Sequence, residues 1–74
     1  MVLEEVFNIP QGTFRIFRQD SNQIFSDGDF TDRKNAIDIT IVRQEKEFLK
    51  KFSISTFYVL DSKLNFLYGV GFHR

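Results

Sequence analysis

Phenylalanine is the most informative residue type in this chain, because it accounts for ten of the 74 residues and most of these stand in two segments that predict β-hairpins. In the first segment, 13–30, the run TFRIFRQ is followed by the turn signal Asp20-Ser21-Asn22 and by a second extended stretch that contains Phe25. The second segment, 56–72, repeats this order as TFYVL, Asp61-Ser62-Lys63 and LNFLYGVGF. Two such hairpins predict an antiparallel sheet.

The segment between the hairpins fits either a helix or a strand. In a helix, one stripe contains Ile37, Ile41, Phe48 and Phe52, and its edge contains Val42 and Leu49. In a strand, Ile37, Ile39 and Ile41 alternate with polar residues, and this β-branched run is poor helix material. The helix is the main prediction, because it gives a compact domain with one helix between two hairpins.

The predicted fold is therefore α+β, with an antiparallel sheet made from two hairpins and one helix packed on one face (ββαββ). The alternative is a small five-stranded β-barrel with one short helix. At 74 residues the chain has room for one domain. We divide it into an N-terminal arm (1–12), a hairpin (13–30), a helix (31–52) and a second hairpin (53–72).

Composition restricts the chemistry that the chain can perform. It has no cysteine and a single histidine, His73, so neither a disulfide framework nor a site of several histidines is expected. The acidic residues Asp27, Asp29 and Asp32 do not match a calcium loop, because the glycine and glutamate that such a loop needs are replaced by aspartate. We expect no metal, no cofactor and no catalytic residues, and thus no enzyme.

Charge and hydropathy favour a cytoplasmic protein without a membrane segment. Ten basic and ten acidic side chains balance to zero. The first residues, MVLEE, lack the basic region and the long apolar run of a signal peptide, and no apolar stretch approaches the length of a membrane span.

Side chains alternate between the two faces of a strand, and in this chain both faces come out apolar. The richer face, where we expect the helix, contains Phe14, Ile16, Ile24, Tyr58, Leu60, Phe66, Tyr68, Val70 and Phe72. The opposite face carries the predicted interface residues Phe17, Phe25, Phe57, Val59 and Leu67. An exposed apolar sheet face of this kind marks an interface.

Three covers for that second face stay open at this point. The N-terminal arm can fold back through Leu3, Val6 and Phe7, a second copy of the chain can pack face to face, or another protein or ligand can bind. A register error of one residue would exchange the two faces.

These observations favour a small non-catalytic protein-interaction or regulatory module that forms a homodimer through the aromatic sheet face or binds another protein. The alternative is a single-stranded nucleic-acid-binding module that stacks bases on Phe17 between Arg15 and Arg18. A small-molecule sensor is the third hypothesis. The stretch VLDSKLNFLYGVG resembles the late hairpin of small sensor domains of the PAS kind in its composition.

Overall fold

The computed structural model describes residues 3–50 and 54–69. In this part of the chain the elements are α1 (Leu3–Val6), β1 (Phe14–Asp20), β2 (Gln23–Phe30), α2 (Arg33–Phe48), β3 (Thr56–Leu60) and β4 (Phe66–Gly69). The described strands form one open antiparallel sheet in the order β2-β1-β3-β4, and α2 contacts all four of them. This arrangement confirms the predicted α+β fold with one helix on a sheet from two hairpins, rather than the barrel. Neither described helix is long and apolar enough to cross a membrane.

The ambiguous segment 36–43 is helical, but the side of α2 that faces the sheet differs from the predicted apolar stripe. The buried residues of α2 are Ala36, Thr40, Gln44 and Glu47. Phe48, predicted to point inward, is 52% exposed. The predicted positions Phe52, Val70 and Phe72 lie outside the described residues.

The turn of the first hairpin is one residue shorter than predicted. Asp20 pairs with Gln23, so that the turn consists of Ser21 and Asn22 alone. Ser21 has a φ of 51°, which lies in the left-handed region that tight hairpin turns use. Asp20 therefore belongs to β1 and not to the turn.

This shorter turn inverts the faces of β2 relative to β1. A three-residue turn would have placed Phe17 opposite Phe25, whereas the structure pairs Phe17 with Ser26 and Arg18 with Phe25. Residues that pair directly share a face, so Phe25 lies on the helix side. Ile24 joins Phe17 on the other side. Both assignments from the sequence were wrong for β2 because a shift of one residue exchanges every side chain of a strand.

The face assignment of β3 was inverted as well. Phe17 of β1 pairs with Tyr58, and Ile16 pairs with Val59. Tyr58 and Leu60 thus lie on the side opposite to α2, although they were expected beneath the helix. No turn joins β1 to β3, because β2 and α2 intervene, and turn chemistry therefore leaves this register open.

The sheet consequently carries two apolar clusters, one on each side. The helix-side cluster has a buried centre of Ile16, Ala36, Phe57 and Val59. The arm-side cluster has a buried centre of Val6, Ile9, Phe17, Tyr58 and Leu60, with Phe7 and Ile24 packed against it. Of the three covers considered for the second face, the N-terminal arm is the one observed.

Candidate functional site

The five residues predicted to form an interface do not share one face of the sheet. Phe17 belongs to the arm-side cluster, whereas Phe57, Val59 and Leu67 belong to the helix-side cluster. Phe25 is half-buried on the helix side. The prediction that these residues share one face is therefore wrong, and its buried members are covered by the N-terminal arm or by α2.

On the arm side the aromatic residues form a stack. The ring of Phe17 lies between Phe7, with centroids 5.1 Å apart, and Tyr58, with centroids 5.4 Å apart. Tyr58 then contacts Phe66 at 6.1 Å. Gly69 makes this close approach possible, because a Cβ atom there would lie 2.5 Å from Phe66 Cζ. Burial raises the pKa of the Tyr58 hydroxyl.

The residues of the nucleic-acid alternative do not form a stacking platform. Phe17 is 0% exposed, so its ring faces are occupied by protein rather than open to a base. Arg15 is two residues away from Phe17 along β1 and Arg18 is one residue away. Because side chains alternate along a strand, Arg15 lies on the same face as Phe17 and Arg18 lies on the opposite face. The structure thus separates the two cations from each other and buries the aromatic ring between them.

Arg15 instead fixes the N-terminal arm. Its Nε and Nη2 donate to the two carboxylate oxygens of Asp29, at 2.7 and 2.9 Å. Its Nη1 donates to the carbonyl oxygens of Val6 at 2.9 Å, Glu5 at 3.3 Å and Asn8 at 3.4 Å. The hydrogen bond from Arg15 lowers the pKa of Asp29, and the same bond raises the pKa of Arg15. A cation thus meets carbonyl groups at and just beyond the C-terminal end of α1.

On the helix side, polar groups of α2 bind the backbone at the beginning of β3. The Gln44 side chain donates from Nε2 to Ser55 O at 3.0 Å and accepts the Phe57 N–H at Oε1, 2.8 Å away. Glu47 Oε2 accepts the Ser55 N–H at 2.7 Å, and this bond lowers the pKa of Glu47. Gln44 and Glu47 are only 2% and 5% exposed. They satisfy buried backbone groups that would otherwise lack partners, which explains why a polar row faces the sheet.

The opposite side of α2 carries an apolar surface that faces solvent. We call Ile41, Val42, Phe48 and Leu49 the outer apolar surface. Val42 and Phe48 are 48% and 52% exposed, and Leu49, which follows the last helical residue, is 84% exposed. Ile41 is half-buried. The pairs Ile41/Phe48 and Val42/Leu49 are seven residues apart, so they form two neighbouring rows along the helix.

The sequence pattern placed all four of these residues in the buried stripe or at its margin. It assigned Ile41 and Phe48 to the buried stripe and Val42 and Leu49 to its edge. A usable signal was present: Ala36, Thr40, Gln44 and Glu47 also recur with helical spacing. That row was overlooked because polar residues are expected outside unless they have hydrogen-bond partners, and those partners become visible only in three dimensions.

No protein-family model matches this chain, and neither a curated protein nor a solved structure is significantly similar to it.

Proposed function

We propose that this protein is a non-catalytic protein-interaction module that binds a second copy of itself through the outer apolar surface. The observation that carries the proposal is the inverted polarity of α2. Gln44 and Glu47 are buried, whereas Phe48 and Leu49 next to them are exposed. Large apolar side chains grouped on a surface indicate an interaction site. The residues favoured from the sequence are divided between the two sides of the sheet, where the N-terminal arm and α2 cover the buried ones, so we place the interaction site on the outer surface of α2.

The shape of the outer apolar surface supports a second copy as the partner. Its two rows have equal length, and each pairs an aliphatic residue with a larger one seven positions later. When two such helices pack antiparallel, a two-fold axis brings each row onto the same surface of the other copy. This is the self-complementary interface of a twofold dimer.

The charge of the chain supports the same partner. The formal net charge is zero, so two copies do not repel each other at long range. Proteins near zero net charge associate more readily than strongly charged ones. Glu45 and Lys46, both exposed on α2 between the apolar residues, place both signs of charge beside the surface.

Analytical ultracentrifugation tests this proposal by measuring the oligomeric state. Protein concentrations between about 1 and 200 µM cover micromolar to submillimolar dissociation constants. The wild-type chain should shift from monomer to dimer as its concentration rises. Leu49→Glu should remain monomeric over the whole range, because it places a charge within the apolar contact. Its fold should not change, because Leu49 makes few contacts within the monomer at 84% exposure.

Leu64→Glu is the matched control. Leu64 is 50% exposed but lies in the turn between β3 and β4, away from the outer apolar surface. This variant should dimerise as the wild type does. A wild-type chain that stays monomeric at the highest concentration, or a Leu64→Glu variant that loses the dimer as completely as Leu49→Glu, would overturn the proposal.

A further inference from the structure

A cavity opens where the end of β1, the C-terminal end of α2 and the residues before β3 meet. Its volume is about 370 Å³, enough for a small organic molecule. The lining contains two cations, two carboxylates, two hydroxyl groups and one apolar side chain; these are Arg18, Lys50, Asp20, Glu47, Ser21, Ser55 and Ile54. This cavity is separate from the outer apolar surface and from the arm-side cluster.

Arg18 has unused hydrogen-bonding capacity at this cavity. Its guanidinium carbon lies 4.7 Å from the centroid of the Phe25 ring, and its Nε lies 3.6 Å from Asp20 Oδ2. That separation is an ion pair but too long for a hydrogen bond. Nε is buried and has no hydrogen-bond partner among residues 3–50 and 54–69. The side chain is thus held in place by the ring and the charge, while its planar set of donors suits a carboxylate group.

Neighbouring groups occupy both oxygens of the Glu47 carboxylate but leave part of the Asp20 carboxylate open. Asp20 Oδ1 accepts the hydroxyl of Ser55, whereas Oδ2 has only the distant Arg18 Nε within the part of the chain that the structure describes. Glu47 uses Oε2 for the Ser55 N–H, and its Oε1 lies 3.1 Å from Lys50 Nζ. Asp20 Oδ2 is therefore the acceptor that is available to a cation.

We propose that this cavity binds a small zwitterion, a free α-amino acid, with its carboxylate on Arg18 and its ammonium group on Asp20. The four charges that line the cavity sum to zero. A ligand of one sign would leave an unbalanced charge in it, whereas a zwitterion preserves the balance. Ile54, which is 49% exposed, offers an apolar contact for a side chain.

An NMR titration of the ¹⁵N-labelled chain at a dilute concentration tests the inference. L-Alanine is the probe, and acetate and methylammonium supply its two charged groups separately. L-Alanine should produce saturable shifts of the Ser21, Ser55 and Ile54 amides, at a lower concentration than either fragment. If no saturable shifts occur up to about 50 mM L-alanine, any binding is too weak for a specific site, and this result would overturn the inference. Equal affinity for acetate and L-alanine would also overturn it, because the ammonium group would then contribute nothing.

Two variants separate the roles of the charges. Arg18→Met keeps the side-chain stem and should weaken L-alanine and acetate alike, by about tenfold or more, as the loss of a charged hydrogen-bonding group does. Asp20→Asn should weaken L-alanine by about tenfold without weakening acetate. Arg33→Met, at an exposed position on the first turn of α2, is the matched control and should bind as the wild type does. Amide shifts far from the cavity report whether each variant is folded, and unchanged L-alanine affinity in a folded Arg18→Met chain would refute the assignment.

Discussion

The sheet is covered on its two sides by helices that differ in length and in the kind of contact they make. On one side, α2 extends over 16 residues and turns polar groups toward β3. On the other side, α1 has four residues, and the arm brings Val6, Phe7 and Ile9 onto an aromatic stack. Both covers bury apolar side chains, but α2 adds directional hydrogen bonds from buried polar groups, whereas the arm adds the contacts of Arg15.

This difference has consequences for how each cover depends on the rest of the molecule. A four-residue helix does not form in isolation, because helix nucleation is unfavourable and tertiary contacts must stabilise it. α1 therefore exists only while the arm-side cluster exists. α2 is long enough to have helical propensity of its own, but its orientation depends on the bonds of Gln44 and Glu47 with β3. The comparison predicts that apolar truncation is most damaging on the arm side and polar truncation on the helix side.

The largest effect is expected for Phe17→Ala. Phe17 is 0% exposed and contacts Phe7 and Tyr58, so its truncation should reduce the free energy of unfolding by about 3–5 kcal/mol. Urea denaturation followed by circular dichroism measures this change. If the alanine variant does not fold, Phe17→Leu, with an expected loss of about 1.5 kcal/mol or less, gives the measurable value.

Phe48→Ala is the matched control for this truncation, since it removes the same atoms from a position that is 52% exposed. It should cost less than about 1 kcal/mol at a concentration where the chain is monomeric. Equal losses for Phe17→Ala and Phe48→Ala would contradict the assignment of Phe17 to the centre of the arm-side cluster.

The second largest effect is expected for Gln44→Leu. This change keeps a side chain of similar size but leaves Ser55 O and the Phe57 N–H without their partners, which should cost about 2–3 kcal/mol. Glu45→Leu, one residue further along and exposed, should change stability by no more than about 0.5 kcal/mol. Equilibrium unfolding in urea compares the two, and a stable Gln44→Leu variant would mean that the helix side is held by burial alone.

The sequence predicted the helix and the hairpins of this fold, but it assigned only some residues to the correct face of the sheet. The hairpins and the helix follow from turn residues and local pattern, and in β1 the separation of Ile16 from Phe17 was correct. The faces of β2 and β3 were wrong, because they depend on a turn shortened by one residue and on a register set across the intervening helix. The inward position of Gln44 depends on a backbone partner 11 residues away, which no local pattern contains. The candidate surface moved from the sheet to α2 for these reasons.

A smaller effect is expected when the arm loses its polar contact. Arg15→Met retains much of the apolar stem but removes the bonds to Asp29 and to the carbonyl groups of α1, and it should cost about 1–2 kcal/mol. Hydrogen exchange should increase most at residues 6–9, while the amides of α2 keep their protection. Arg33→Met provides the control. Equal loss of protection at residues 6–9 and in α2 would show that the two covers are not independent.

The smallest effect concerns the acid dependence of the two sides. Glu47 and Asp29 both have a lowered pKa in the folded chain, through bonds from the Ser55 N–H and from Arg15 respectively. A carboxyl group with a lowered pKa stabilises the fold fully above its unfolded pKa, about 4 for these groups, and this contribution disappears as the pH falls through the folded value. The free energy of unfolding should therefore be constant from neutral pH to about pH 5 and should fall below that.

Glu47→Gln should cost less than about 1 kcal/mol at pH 7, because an amide oxygen still accepts the Ser55 N–H. It should also flatten the acid slope, as should Asp29→Asn. Exchange of the Ser55 amide should respond to acid in wild type and in Asp29→Asn but not in Glu47→Gln, because only Glu47 binds that group. Stability should be measured between pH 3 and about pH 7, a range that spans the unfolded pKa of a carboxyl group. If the curves of wild type and Glu47→Gln run parallel over this range, Glu47 does not stabilise the helix side through its charge.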